Sequence, residues 1–405
     1  MRQYVAEFVS VPVIVSFHRL PKHDVSMHGR FAEDDFHQRR SRSAALLALV
    51  ALAGASVRAD DIPSRPILRR PSPPTVVVAP RRADGREPAA VSAENNRPMD
   101  QFWLVSTRVL PHDDAPKPGD LQPRVWRHLP RAGWTDTTLD ELLSAGDPRL
   151  VTTVLVHGND TSHDDAIAKG IEVFREFRRG EGQAKPFRLI VWSWPTDHIP
   201  GPFRRDLRIK AQRAEIDAYY LATFIQALGD TDATSLVGYS LGARTITGAL
   251  HLLGGGQLEG RGLPQRRRES ATRLRALLMA AAVDDDWLLP GHRHGHALDA
   301  VEQLAVLVNP GDRVLRFYRF LSPDGGEALG AAGIDARLGD DRKKVVQVNV
   351  ADAVGKKHGW TTYIAAPKVV GHVKEFALFD AAKSPIAPMN ALKSGAGRTA
   401  AGGGG

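Results

Sequence analysis

Between positions 100 and 382 the apolar residues fall into runs of two kinds. Short, nearly continuous runs rich in Val, Leu, Ile and aromatics occur at 102–107, 151–156, 187–194, 235–237, 277–283, 304–308 and 345–350, and they predict strands. Longer stretches with apolar residues three and four apart occur at 164–179, 206–228 and 241–253, with a shorter one at 298–303, and they predict helices. Strands that alternate with helices give a mostly parallel sheet with helices on both faces. The expectation is one α/β domain over residues 101–382, with no internal repeat.

The flanks lack this pattern. Residues 60–100 are rich in Pro, Arg and Ala and read as an extended linker, while the Gly-rich tail 383–405 is expected to be disordered. Within the N-terminal extension 1–59, Arg39, Arg40 and Arg42 precede the apolar run 44–53, and small residues follow. That order over 39–59 is a secretory signal, with cleavage after Ala55 or Ala59, and the run is too short to span a bilayer. Its distance from Met1 suggests a start at or near Met27. The competing reading is a buried helix behind a genuine N-terminal segment. The signal reading implies a secreted, periplasmic or cell-envelope location and leaves open whether the segment is cleaved or kept as an anchor.

Charge narrows the partners. The 405 residues carry a net charge of +8, but residues 101–382 hold 36 Lys and Arg against 35 Asp and Glu. The excess lies in the flanks, so a nucleic-acid role loses its electrostatic basis. The run 266–268 of three arginines sits in a polar, Pro-containing stretch and reads as a solvated loop. The absence of cysteine removes disulfides, thiol nucleophiles and thiolate metal sites.

Candidate chemistry centres on 236–244, LVGYSLGAR. A serine hydroxyl attacks poorly at its free pKa and must stand clear of the backbone beside a base. A strand, a tight Gly-flanked turn and a helix present Ser240 in that way, with Gly238 and Gly242 making room for close packing. The helix behind it aims free N–H groups and the positive end of its dipole at a developing oxyanion, with Leu241 as one donor. Upstream, His157-Gly158-Asn159 closes the strand 151–156, so Asn159 is the second donor and Gly158 admits the substrate. His157 precedes the serine in chain order and reads as a brace of that loop rather than the base.

The acid is expected after a later strand. Asp312 follows the run 304–308 in an Asn-Pro-Gly turn and is preferred to Asp284, Asp285 and Asp286, which read as capping and solvation. For the base, His358 lies in a loop after the last strand and is preferred to His372 inside a helix. His292, His294 and His296 alternate in a Pro/Gly-bounded loop with no carboxylate pattern nearby, which makes a metal site the weaker reading. Trp192-Ser193-Trp194-Pro195 ends a strand and either lines an acyl pocket or packs in the core. Whether 287–297 forms a lid is open.

With these parts in order, the chain resembles the α/β-hydrolase fold, and more narrowly a group of secreted or membrane-associated bacterial α/β-hydrolase proteins of unassigned substrate. The resemblance rests on FWLVSTR, LVHGND, VWSWPTD, LVGYSLGAR, LVNPGD and GKKHGWTTY and covers about residues 100–375. It implies Ser240 as nucleophile, Asp312 as acid and His358 as base, in agreement with the reading of the residues. Where this chain has Tyr239, relatives often have histidine. The expectation is a serine hydrolase for small-molecule or lipid-like carboxylic esters, less readily thioesters or amides, with no cofactor or metal. The alternative keeps the fold without the chemistry, as a binding or scaffold protein of the cell envelope.

Overall fold

A computed structural model of the chain describes residues 99–379, apart from 113–115, 117–118, 180–185, 229–232, 265–272, 321, 323–324 and 335. The signal-like segment, the linker up to residue 98, the run 266–268 and the tail 383–405 lie outside the described residues. Among the described residues, no helix is long and apolar enough to cross a membrane.

Among the described residues, nine strands form one sheet in the order β3-β2-β1-β5-β4-β6-β7-β8-β9. They are β1 Gln101–Ser106, β2 Arg124–Leu129, β3 Gly133–Thr137, β4 Val151–Val156, β5 Phe187–Ser193, β6 Ala233–Tyr239, β7 Arg273–Met279, β8 Gln303–Val308 and β9 Val345–Asn349. All neighbours from β1 through β5, β4, β6, β7 and β8 to β9 pair in parallel. Only β2 and β3 are antiparallel additions at one edge. The helices are α1 Leu139–Ser144, α2 His163–Arg178, α3 Phe203–Ala227, α4 Leu241–Leu253, α5 Leu329–Ala332, α6 Ala351–Val354, α7 Trp360–Ile364 and α8 Pro367–Ala377.

Strand geometry shows why the central runs are apolar at every position. Successive side chains alternate faces. Val191 of β5 meets α2, where a Cβ on Gly170 would come within 2.3 Å of it. Trp192, the next residue, donates from its indole to Asp217 of α3 at 2.6 Å. Helices therefore cover both faces, and β4, β5 and β6 are buried along their whole lengths. Local signals start the helices: Ser162 caps α2, bonding the Asp165 N–H at 3.1 Å while the Asp165 carboxylate returns to the Ser162 N–H at 3.1 Å.

Several expectations need correction. The hairpin β2–β3 carries no strong sequence signal, because it is an edge addition whose residues are mostly half-buried or exposed. The run expected as a strand at 277–283 leaves the sheet after Met279. Ala280 takes φ 48°, and Ala280–Val283 form a buried loop whose carbonyls of Ala281 and Val283 accept from Gly330 and Leu329 at 3.0 and 2.7 Å. Burial alone explains their apolar character. The short helix expected at 298–303 is a 3-10 turn at Ala297–Ala300, with Gln303 already in β8. Asp284 is not solvated: it is fully buried, and it accepts from the Tyr318 hydroxyl at 2.6 Å and the Ser322 hydroxyl at 2.7 Å.

Parallel strands order the site. The connection from β4 leads to β5 on one side, and the connection from β6 leads to β7 on the other. This reversal opens a crevice at the carboxyl ends of β4 and β6, where α/β sheets hold ligands. Residues 157–161 and Ser240 occupy it.

Candidate active site

Ser240 joins β6 to α4 with φ 54° and ψ −119°. A residue with a side chain pays of order 1–3 kcal/mol for such a backbone, so the surroundings must hold it. They do so by hydrogen bonds and by close approach. The Ser240 N–H donates to the Met279 carbonyl at 3.0 Å, and its own carbonyl accepts from Ala243 at 3.0 Å and Ala282 at 3.2 Å. A Cβ on Gly242 would lie 2.3 Å from the Val156 carbonyl oxygen, and one on Gly238 would lie 2.9 Å from the Ala243 Cα. Only glycine lets α4 and β4 come this close to the turn.

Three side chains distant in sequence meet here. Ser240 Oγ lies 3.0 Å from His358 Nε2, although 118 residues separate them. His358 Nδ1 lies 2.9 Å from Asp312 Oδ2. Asp312 is fully buried, and its other oxygen accepts the N–H groups of Val314 and Leu315 at 2.9 and 3.1 Å. A carboxylate held at both oxygens fixes the imidazole with Nδ1 as donor and leaves Nε2 to accept from the serine. The expected acid, base and serine are thus brought together, while His372 sits half-buried on α8.

The loop after β4 packs against the same serine. A Cβ on Gly158 would be 2.9 Å from Ser240 Cβ and 2.9 Å from the Tyr239 carbonyl oxygen. Asn159 follows Gly158 in this loop, and its side-chain Oδ1 is buried without a hydrogen-bond partner. The Leu241 N–H, first in α4, has no acceptor within the helix. His157 is fully committed elsewhere: its Nε2 accepts from the Trp194 N–H at 3.2 Å, and its Nδ1 faces the Gly158 carbonyl at 3.0 Å. Burial pushes its pKa down to about 3, so the ring is neutral. The Trp194 indole donates to the His157 carbonyl at 2.9 Å. Trp192 and Trp194 are wholly enclosed, so the tryptophans pack in the core and do not line a pocket.

Two sets of partners had no signal in the sequence. Arg108, just after β1, donates to Ser193 Oγ at 2.8 Å, to the Thr161 carbonyl at 2.6 Å and to Asp197, clamping the loop after β4 from partners 53 to 89 residues away. The Tyr239 hydroxyl donates to the main-chain carbonyl of His358. Both depend on strand order, which no local pattern encodes.

The sheet with its crevice, the strained serine between β6 and α4, and the later acid and histidine decide the architecture. This is the α/β-hydrolase fold. Solved structures to which this chain is similar include a lipase-esterase related protein from Clostridium acetobutylicum ATCC 824, 12% identical, covering 57% of this chain and 96% of that one with a TM-score of 0.29. Another is a C6-C4 SN3 inhibited esterase B from Lactobacillus rhamnosis, 10% identical, covering 86% of this chain and 94% of that one with a TM-score of 0.33. A third is a thermophilic esterase from the Planctomycetes species Thermogutta terrifontis, 12% identical, covering 69% of this chain and 98% of that one with a TM-score of 0.33. No family model and no curated protein matches the sequence.

The alternating histidines have a different surrounding from the one expected. His294 is fully buried, with Nε2 3.3 Å from Glu215 of α3 and Nδ1 2.9 Å from the Thr247 hydroxyl of α4. A carboxylate does therefore lie beside it, supplied by a distant helix. His292 and His296 approach Asp286 and Asp299 at 3.3 and 3.0 Å. Among the described residues, no group of three or more His, Asp or Glu is arranged to hold a metal ion. A cavity of about 450 Å³ opens between His251, Gln257, His292, Arg293 and His296, near the C-terminal end of α4 and away from Ser240.

Proposed function

We propose that this α/β-hydrolase-fold protein is a serine hydrolase of carboxylic esters. The observation that carries the reading is the hydrogen-bonded run from Ser240 Oγ through His358 to the buried Asp312, at 3.0 and 2.9 Å. In the first step His358 Nε2 takes the hydroxyl proton as Ser240 Oγ attacks the acyl carbon. Asp312 holds the ring in that tautomer and stabilises the imidazolium. The N–H groups of Leu241 and Asn159 donate to the oxyanion. As the tetrahedral intermediate collapses, His358 returns the proton to the leaving alcohol. Water then gives a proton to His358 while its oxygen attacks the acyl-enzyme, and the acid leaves as Ser240 regains its proton.

Small-molecule or lipid-like esters fit this chemistry, and a panel of nitrophenyl esters of increasing chain length measures the preference. A fluorophosphonate probe tests the mechanism directly. The wild-type protein is expected to be labelled and to turn over at least one of the esters, and Ser240→Ala is expected to do neither. Absence of labelling and turnover in the wild type, or equal labelling of Ser240→Ala, would overturn the reading.

A further inference from the structure

Tyr239 stands directly before the serine at the end of β6 and is 6% exposed. Its ring meets Trp360 and Tyr363 of α7 edge-on, with centroids 5.3 and 6.1 Å apart, and lies 5.8 Å from the His358 imidazole. Its hydroxyl donates to the His358 main-chain carbonyl. The loop that carries His358 runs from α6 to α7 and is tied elsewhere at a distance from the imidazole. Asn309 donates to the Gly355 carbonyl at 2.9 Å, and Arg313 to the Lys356 carbonyl at 3.3 Å. Beyond the histidine, the Trp360 indole donates to Glu172 of α2 at 2.7 Å.

We infer that Tyr239 is a positioning residue, whose hydroxyl holds the His358 backbone so that the imidazole stays within reach of both Ser240 and Asp312. The inference rests on the hydrolase reading of Ser240, Asp312 and His358. Tyr239 meets the base by a tilted ring contact and a hydrogen bond to its backbone carbonyl, and it hands no proton to the reacting atoms. Because it is the neighbour of the nucleophile in the chain, one short stretch of β6 sets both partners of the proton transfer. Serine height comes from the turn, and histidine height from the preceding side chain. Burial raises the phenol well above its ordinary value of 10.0, so it remains a donor across the working pH range of an imidazole base.

Alignment of this kind affects the chemical step more than substrate affinity, and loss of it typically costs of order ten- to a hundredfold in rate. The test is Tyr239→Phe, which keeps the ring packing and removes the donor. With a short nitrophenyl ester, kcat is expected to fall about tenfold or more while KM changes less than about twofold, a split that places the loss in alignment. Phosphonylation by a fluorophosphonate should slow in parallel. Turnover is divided by the number of sites the probe labels at completion, so molecules that fail to fold do not enter the rate.

A Tyr239→Phe variant with wild-type kcat per labelled site overturns the inference and leaves the hydrolase reading intact. A fall confined to KM overturns it as well, since that would assign Tyr239 to substrate binding. Failure of the wild-type protein itself to react with probe and ester overturns the hydrolase reading on which the inference stands.

Discussion

At Ser240 a left-handed backbone, an ordinary side chain and a buried setting coincide, and each neighbour is sized to allow it. Gly158 is the most sensitive of these neighbours on the loop side, because an added methyl would meet Ser240 Cβ and the Tyr239 carbonyl at 2.9 Å and the Tyr239 ring at 3.0 Å. Ser240 Cβ and the Tyr239 carbonyl cannot give way without moving the serine. Gly158→Ala is therefore expected to displace the Asn159 N–H and lower kcat by about a hundredfold, the usual scale for losing one oxyanion donor. Steady-state kinetics on a nitrophenyl ester would check it, and an unchanged kcat would mean that the loop does not serve the oxyanion. Asn159→Ala keeps the backbone donor and should lower kcat far less. The glycines and the serine were legible in the sequence because turn geometry and close approach are local demands. The role of Tyr239 was not, because its acceptor lies 119 residues away.

Among elements, the contact of α3 with α4 is cemented by charge as well as by packing. Arg244 donates to Glu215 at 2.7 Å, both side chains are almost fully enclosed, and the guanidinium lies 4.5 Å from the Trp287 ring centroid. Burial raises the Glu215 carboxyl, but His294, Arg244 and Arg293 more than offset it, so the group stays below the usual carboxylate range and ionised. Removing Arg244 leaves the buried Glu215 carboxylate to His294 at 3.3 Å and to the more exposed Arg293 at 3.6 Å, without its shortest charged hydrogen bond. Arg244→Met is expected to lower stability by about 3–5 kcal/mol in denaturant unfolding, and replacing Glu215 by Leu in the same chain should recover a large part. Equal losses in the single and double variants would show that the pair is not coupled. The amphipathic periods of α3 and α4 predicted both helices, yet no local pattern marks Glu215 as enclosed. Only the partner helix makes its burial tolerable. The hairpin β2–β3 escaped prediction for the converse reason, since an edge strand needs no continuous apolar run.

For the whole molecule, the enclosed imidazole of His157 links stability to pH. Its pKa falls from 6.5 to about 3 because burial disfavours the charged ring. Below 6.5 the unfolded chain takes up a proton that the folded chain refuses, so this contribution is fully present above 6.5 and is lost as pH falls towards 3. The slope from one such proton is about 1.4 kcal/mol per pH unit. Denaturant unfolding between pH 6 and pH 4 should show a loss with acidification that is shallower by about one proton in His157→Gln. Equal slopes would mean that the ring is protonated in the folded state. What the amino-acid order determined by itself was the alternation of buried strands and helices, the serine turn, and the residue types able to serve as acid and base, because periodicity, glycine and turn chemistry act over a few neighbours. What only the tertiary structure decided was which distant groups share a space: the imidazole over the hydroxyl, the phenol under the histidine, Arg108 on the loop after β4, and Glu215 beside Arg244 and His294. Those pairings follow from strand order and helix docking, which are set by the burial of the whole sheet and not by any short stretch of the chain.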